Sequence, residues 1–192
     1  ITGNMIIGNY ANAGGGFSDS DRNSGTFTDN FVLNNSANSS GGGIHLNEGG
    51  IDVVTGNIIA GNTSSNNGGA IYYRRAYSDS DDVDYISNNT IFNNTGPSLI
   101  YHYCISDNVL EMKNNTIVGN NVTGDYTVQF ANHPSFGNGN ILFNNNNIYD
   151  NGATYELSNQ SALGTADLNA ENNYWGTSDA SVIAAKVHDW ND

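Results

Sequence analysis

The sequence predicts an all-β fold, a right-handed parallel β-helix (β-solenoid) of about seven coils that ends in a short C-terminal helix. Three observations support this fold class. A pair of asparagines recurs along the whole chain, and a second stripe of small and apolar residues repeats with nearly the same period. The segments between them are rich in Gly, Asn, Ser and Asp, which are residues typical of turns.

The first observation is an asparagine pair, five residues apart, that brackets a short apolar run. It occurs seven times, with a degenerate last copy, at 4–9, 30–35, 57–62, 89–94, 115–120, 146–151 and 172–177. The leading asparagines are separated by 26, 27, 32, 26, 31 and 26 residues. A repeat of this length must stack on its neighbours to bury its apolar face. Asn suits such a stack because it tolerates the left-handed backbone of corners and because stacked amides form hydrogen-bonded ladders.

The second observation is an apolar position that follows small residues in the first repeats. Its members are separated by 27, 27, 29, 28 and 27 residues: Phe17, Ile44, Ile71, Ile100, Val128 and Tyr155. A third, weaker apolar stretch precedes most leading asparagines, so each repeat offers about three short strands. Leucine-rich and helical repeats are excluded because Leu is sparse and Gly and Asn stand where helix formers are needed. We therefore expect strands of successive coils to pair in parallel, about 4.8 Å apart.

The C-terminal segment 178–190 changes period. Ser178 or Asp179 can serve as a helix N-cap. Four apolar residues then fall at helical spacing: Val182, Ile183, Val187 and Trp190. We expect a β-helix over 1–177 and an amphipathic capping helix over 178–192. Because no capping element precedes the first asparagine motif, we also expect the chain to be a fragment of a longer protein.

The composition is acidic and excludes some partners. The 192 residues include 19 Asp and Glu but five Lys and Arg, which gives a formal net charge of −14. Such a chain offers little to neutralise phosphates, so nucleic acids and anionic membrane surfaces are disfavoured. No apolar run approaches the length of a membrane span, so membrane insertion is not expected. Cys104 is the single cysteine, which excludes an intrachain disulfide.

Several motifs resemble those of known secreted proteins. Gly-Gly-Ala-Ile at 68–71, Phe-Thr-Asp-Asn at 27–30 and Phe-Val-Leu-Asn at 31–34 resemble the repeats of polymorphic outer-membrane protein autotransporters. The sequence Glu-Asn-Asn-Tyr-Trp-Gly-Thr-Ser-Asp at 171–179 is similar to the closing segment of secreted bacterial and archaeal parallel β-helix proteins, including adhesin-like surface proteins. The resemblance implies an extracellular, cell-surface location. It carries over no catalytic residues, because these families share no such set.

An outward column of the second stripe is the main candidate binding site. If the stripe residues point inward, their neighbours point outward in the column His45, Tyr72, Tyr101, Gln129 and Glu156. Two positions further on come Asn47, Arg74 and Tyr103. We expect His45, Tyr72, Arg74, Tyr101 and Tyr103 to form a flat ligand-binding face for sugar rings or a protein partner. The alternative is ordinary stacking of aromatic residues along a β-helix.

An acidic segment is the candidate cation site. Its alternating carboxylates, which suit Ca²⁺, are Asp79, Asp81, Asp82 and Asp84. The alternative is a solvated acidic turn. No other cofactor is indicated.

The same coil carries the best enzymatic arrangement in the sequence. Polysaccharide lyases of this fold combine a Ca²⁺-binding acidic group with a basic residue, and Arg74 or Arg75 could act with Asp82 or a neighbouring carboxylate. Glycoside hydrolases instead need two carboxylates on one face. The competing interpretation of the arginine pair is a surface ion pair with acidic neighbours.

Taken together, the sequence favours a non-enzymatic extracellular surface protein, either an adhesin or a structural β-solenoid. The expected partners are an extracellular glycan or a surface protein, and terminal coils with unpaired backbone groups favour end-to-end self-association. A polysaccharide lyase or glycoside hydrolase is the alternative.

Overall fold

The computed structural model describes residues 1–20, 25–48, 52–75, 83–104, 109–131, 140–160 and 168–188. Within these ranges the chain winds as a parallel β-solenoid of about six turns, which confirms the predicted architecture. The seventh asparagine repeat contributes an isolated bridge between Asn147 and Tyr174 rather than a further strand.

Three sheets form the walls of the solenoid. Sheet 1 contains β1 (Met5–Ile7), β5 (Phe31–Leu33), β9 (Ile58–Ala60), β13 (Thr90–Phe92), β16 (Thr116–Val118) and β19 (Asn147–Tyr149). Sheet 2 contains β2 (Tyr10–Ala11), β3 (Phe17–Asp19), β6 (Ser36–Ala37), β7 (Ile44–Asn47), β10 (Thr63–Ser64), β11 (Ile71–Arg75), β14 (Thr95–Cys104), β17 (Asn121–Phe130), β20 (Tyr155–Asn159) and β22 (Val187–His188). Sheet 3 contains β4 (Thr26–Thr28), β8 (Val53–Thr55), β12 (Val83–Ser87), β15 (Val109–Lys113), β18 (Ile141–Asn144) and β21 (Leu168–Asn169).

At each corner beside sheet 1, one residue turns the backbone and the next residue bonds to the neighbouring coil. The residue before each ladder asparagine has a positive φ, near 55–70°, and is always Gly, Asn or Asp, as at Gly56, Asn88 and Asp150. These residue types tolerate the left-handed conformation best. The asparagine that follows turns its side chain inward, so the corner residue bends the chain and the next residue bonds to the neighbouring coil.

Asparagines that are buried in the inner coils form two continuous ladders along the solenoid. The first contains Asn4, Asn30, Asn57, Asn89, Asn115, Asn146 and Asn173, and the second contains Asn9, Asn35, Asn62, Asn94, Asn120 and Asn151. In the middle of the first ladder, Asn57 donates from its backbone and side-chain nitrogens to Asn89 Oδ1, at 2.9 and 3.0 Å. Its Nδ2 also donates to the carbonyl of Phe27 in the preceding coil. The predicted ladder is confirmed, but its last residue is Asn173, because Asn172 takes the left-handed corner position.

The core is a thin column of one or two apolar residues per strand. In sheet 1 the central residue of every strand except the edge strand β1 is fully buried: Val32, Ile59, Ile91, Ile117 and Ile148. Burial of each such side chain contributes about 1.5–3 kcal/mol. Towards the C-terminal turns the column becomes aromatic, with ring centroids 6.1 Å apart for Phe130 and Phe143 and 6.2 Å apart for Phe143 and Trp175.

The register of sheet 2 confirms most of the second stripe. Phe17, Ile44, Ile71, Ile100 and Val128 lie opposite one another on successive strands. The assignment of Tyr155 to this column is wrong. Leu157 lies opposite Val128, and Tyr155 pairs with Tyr126. The strand is two residues later than a constant period implies, which buries the wholly apolar Leu157 in the core.

The C-terminal helix is shorter than the sequence pattern suggests. It spans Ala180–Ala184, and Asp179 is the N-cap, accepting hydrogen bonds from the backbone N–H groups of Ser181 and Val182. Val187, which fits the helical spacing, lies instead in β22 and pairs with Leu157. Ile183 and Val187 both pack against the hydrophobic core. Trp190 lies outside the described residues.

Candidate ligand-binding face

The outer side of sheet 2 exposes alternate side chains. Ile44, Ile71 and Ile100 are fully buried, whereas the residues that follow them in the chain are half-buried on the opposite side. Because a strand alternates its side chains between its two faces, those residues form one outer column. The column contains His45, Tyr72 and Tyr101, and their Cα atoms are in register across β7, β11 and β14.

The three rings of this column stack on one another. The ring centroids of His45 and Tyr72 are 4.8 Å apart with an interplanar angle of 4°, and those of Tyr72 and Tyr101 are 5.4 Å apart with an angle of 12°. Tyr72 therefore has a ring on each side. The column presents a row of ring edges to an approaching molecule rather than one broad aromatic face.

The three rings are uncharged at neutral pH, and burial strengthens this preference. Burial lowers the pKa of His45 below its ordinary value of 6.5 and raises the pKa values of Tyr72 and Tyr101 above 10. The imidazole is then neutral, and both phenols keep their protons. A protonated phenol can both donate and accept a hydrogen bond, so the column offers neutral groups of both kinds.

A second outer column runs beside the first and contains Asn47, Arg74 and Tyr103, which are in register. Arg74 Nη1 donates to Asn47 Oδ1 at 3.0 Å and lies 3.4 Å from Glu48 Oε1. About a third of the Arg74 side chain is exposed, so the ion pair with Glu48 is near the surface and weak. The structure thus brings all five predicted face residues onto one surface.

Beyond Tyr101 the first column becomes polar. It continues through Gln129, Ser158 and His188. Gln129 Nε2 donates to Gln160 Oε1 at 2.9 Å. The prediction that Glu156 belongs to this column is wrong, because the two-residue shift of β20 puts Ser158 there. Glu156 is instead buried, and its Oε2 accepts a hydrogen bond from Asn151 at the end of the second ladder.

The sequence analysis did not predict an aromatic cluster on the C-terminal strands of sheet 2. The ring centroids of Tyr126 and Tyr155 are 5.8 Å apart, and that of His188 lies 5.6 Å and 5.0 Å from them. Alignment of the successive repeats would have indicated this cluster only if β20 had been placed correctly. Tyr126 and Tyr155 are 29 residues apart, whereas the repeat period suggests 27.

Arg75 lies on the opposite side of β11 from Arg74 and points into the solenoid. Its Nη1 contacts Asp84 Oδ1 at 2.6 Å, Asp52 Oδ1 at 3.0 Å and the Tyr73 hydroxyl at 3.3 Å. Burial lowers the pKa of Arg75, but the interactions with Tyr73 and Asp84 outweigh it and hold that pKa above its ordinary value. The two arginines therefore do not form one surface pair, and Arg75 is a buried cation neutralised by carboxylates.

Most of the predicted cation site falls outside the described residues, which include Asp84 but not Asp79, Asp81 or Asp82. The Asp84 carboxylate is buried against Arg75. Among the described residues there is no group of three or more His, Cys, Asp or Glu side chains arranged to hold a metal ion. Ca²⁺ binding by the acidic segment, and a catalytic role for Asp82, stay predictions.

Comparison of the chain with protein-family models, curated proteins and solved structures finds no significant match. The resemblance to autotransporter and adhesin-like repeats therefore rests on the motifs alone, while the β-solenoid itself rests on the strand register.

In the described part of the chain, none of the helical structure has the length and apolar character needed to cross a bilayer.

Proposed function

We propose that this protein is a non-enzymatic extracellular surface protein, adhesin-like or structural, that binds an extended glycan along the outer face of sheet 2. The observation that carries the proposal is the in-register column of His45, Tyr72 and Tyr101, with Arg74 beside it. Strand pairing fixes these groups at intervals of about 4.8 Å on a rigid surface. A rigid surface loses little conformational entropy when it binds an extended polymer.

The chemistry of the face favours a sugar chain over a strongly charged partner. Neutral phenol hydroxyls, amides and an imidazole match the many hydroxyl donors and acceptors of a glycan, and ring edges supply apolar contact. Arg74 is the cation of the predicted face and already has Glu48 near it, so the face offers little net charge to an acidic polymer. We expect neutral glycans to bind more tightly than heavily sulfated or phosphorylated ones.

A glycan array followed by calorimetry tests this proposal. We expect Tyr72→Ala, which removes the central ring of the column, to weaken binding at least tenfold. Tyr85→Ala is the matched control, because Tyr85 is an exposed tyrosine on sheet 3 and its loss leaves the proposed face intact. Binding that is absent in the unmodified protein, or equally weakened by both substitutions, contradicts the proposal. Release of shortened or unsaturated products from a bound glycan would instead establish the enzymatic alternative.

A further inference from the structure

The spacing of the outer rings on sheet 2 restricts the kind of glycan that fits them. The ring centroids of His45, Tyr72 and Tyr101 follow one another at 4.8 and 5.4 Å. The three residues lie in register on successive coils, so this interval follows from the distance between hydrogen-bonded parallel strands. A ligand that contacts all three rings in the same way must repeat its own chemical groups at nearly this interval.

The rings follow one another along the solenoid axis and not along a strand. Outward residues of one strand are two positions, or about 6.6 Å, apart. The outward residues that follow the three rings belong to the second column: Asn47, Arg74 and Tyr103. A ligand lying along a strand would therefore contact one ring of the first column, whereas a ligand lying parallel to the axis contacts three. The arrangement favours the second direction.

We propose that this face binds a neutral β-1,4-linked glycan of the cellulose or chitin type, which lies parallel to the solenoid axis with one sugar residue on each coil. The proposal rests on the glycan-binding function proposed above. In such a chain both bridging bonds of each pyranose ring are equatorial, which keeps the chain straight. One residue then advances by nearly the distance between neighbouring strands. α-1,4 and β-1,3 linkages curve the chain and carry its later residues away from a straight column.

The accessible part of the first column is five coils long. Its members lie in register and are at least partly exposed: Ser18, His45, Tyr72, Tyr101 and Gln129. Ser158, the next residue of the column, is fully buried, so its side chain is closed to a ligand on the outer face. From the first to the last accessible residue the column spans about 19 Å. We therefore expect the face to hold about five sugar residues.

The side chains of the column suit the alternating edges of such a glycan. Successive residues of a straight β-1,4-linked chain are rotated by half a turn, so neighbouring sugars present opposite edges to the protein. Each coil must then be able to pair with either edge. The hydroxyl of Ser18, the phenols of Tyr72 and Tyr101, the neutral imidazole of His45 and the amide of Gln129 each combine a donor with an acceptor. A column of carboxylates would accept hydrogen bonds only.

Calorimetry with pentasaccharides tests the linkage. Cellopentaose, laminaripentaose and maltopentaose are all built from glucose and have β-1,4, β-1,3 and α-1,4 linkages, respectively. N-acetylchitopentaose is the second β-1,4-linked ligand, and the tighter binder of the two β-1,4-linked ligands identifies the sugar. We expect that ligand to bind about tenfold more tightly than either curved chain. Equal binding of all four ligands, or tighter binding of a curved chain, overturns this inference but leaves the proposed function standing. If no glycan binds, both are wrong.

A chain-length series tests the position of the glycan on the face. We expect affinity for β-1,4-linked oligosaccharides to rise up to about five residues and then to level off. Gln129→Ala should weaken binding of the pentasaccharide about fivefold but leave binding of the trisaccharide, which occupies the three rings, unchanged.

Asn144→Ala is the matched control for this substitution. On sheet 3 the Nδ2 of Asn144 donates to Asn169 Oδ1 at 2.7 Å, as Gln129 Nε2 donates to Gln160 Oε1 on sheet 2. We expect this variant to bind every oligosaccharide as the unmodified protein does. A disaccharide that binds as tightly as the pentasaccharide, or equal effects of the two substitutions, overturns the proposed arrangement.

Discussion

The side chain of each interior ladder asparagine supplies hydrogen-bond partners to backbone groups near a corner, where the strand pairing is interrupted. Asn62 is fully buried, and its Nδ2 donates to Asn94 Oδ1 and to the Val32 carbonyl, both at 2.9 Å. Its Oδ1 accepts from the backbone and side-chain nitrogens of Asn35, at 2.9 and 3.0 Å. A buried corner that is left without such partners costs the desolvation energy of every unpaired group.

We expect Asn62→Ala to lower the free energy of unfolding by about 3–5 kcal/mol. The substitution removes four side-chain hydrogen bonds. It leaves the backbone N–H of Asn35 and the carbonyl of Val32 buried without these hydrogen-bond partners. Asn66→Ala is the control, because Asn66 is exposed, and we expect a change within about 0.5 kcal/mol. Urea denaturation followed by circular dichroism measures both. Equal stability of the two variants would show that the ladder contributes little.

His102 gives the interior a dependence on pH. It is buried opposite Tyr73, contacts the ring of Phe130, and has an Nδ1 atom without a hydrogen-bond partner. Burial, followed by repulsion from Arg75, lowers the pKa of His102 from 6.5 to about 4. Arg75 is itself paired with Asp84 and Asp52. The imidazole is therefore neutral in the folded protein at every pH well above 4.

Because the unfolded state binds a proton at higher pH than the folded state, stability falls as the pH drops through the interval from 6.5 to 4. Protonation of His102 in the unfolded state lowers the free energy of unfolding by about 3 kcal/mol in total once the pH is below 4. Above pH 6.5 it has little effect. We expect His102→Phe to remove this part of the pH dependence while keeping the aromatic packing. The measurement is the difference in unfolding free energy between the two proteins at pH 7 and pH 4.5. A difference that does not change with pH contradicts the assignment.

At the scale of elements, sheet 1 was predictable and the later strands of sheet 2 were not. The asparagine pairs encode the corners directly, so the strand between two corners has a fixed length and position. Sheets 2 and 3 are joined by segments of variable length, and a constant period therefore misplaced Tyr155 by two residues. Tyr tolerates both the interior and the surface, so its residue type could not reveal the error, whereas the apolar Leu157 was the better candidate for the core.

The candidate face likewise has one part that the sequence predicted and another part that it did not. Strict alternation along β11 and β14 was sufficient to place Tyr72 and Tyr101 on the outside. The same alternation puts Arg75 inside with Ile71, and Asp84 inside with Ile86, so the signal for the buried ion pair was present in the sequence. Composition obscured it, because charged residues are rarely buried unless they are paired. The C-terminal helix was overestimated because Val187 fits helical and strand spacing equally well.

At the scale of the whole molecule, the solenoid is a one-dimensional stack. Each coil contacts the coils before and after it, through the parallel strands and the two asparagine ladders. The stability of such a stack is a sum of coil and neighbour terms, so a coil with neighbours on both sides is held more firmly than a coil at the edge of the sheets. Local opening should therefore begin at an edge.

Amide hydrogen exchange of the 192-residue chain tests this expectation. We expect the greatest protection at Ile59, Ile91 and Ile117, which are fully buried central residues of inner strands. Ile6 in the edge strand β1 is only partly buried, and its amide should exchange at least a hundredfold faster. If Asn62→Ala is made in the same experiment, exchange should rise most in the coils adjoining Asn62 and least in the C-terminal coils. Uniform acceleration throughout the chain would mean that the solenoid opens as one cooperative unit and that the nearest-neighbour description is wrong.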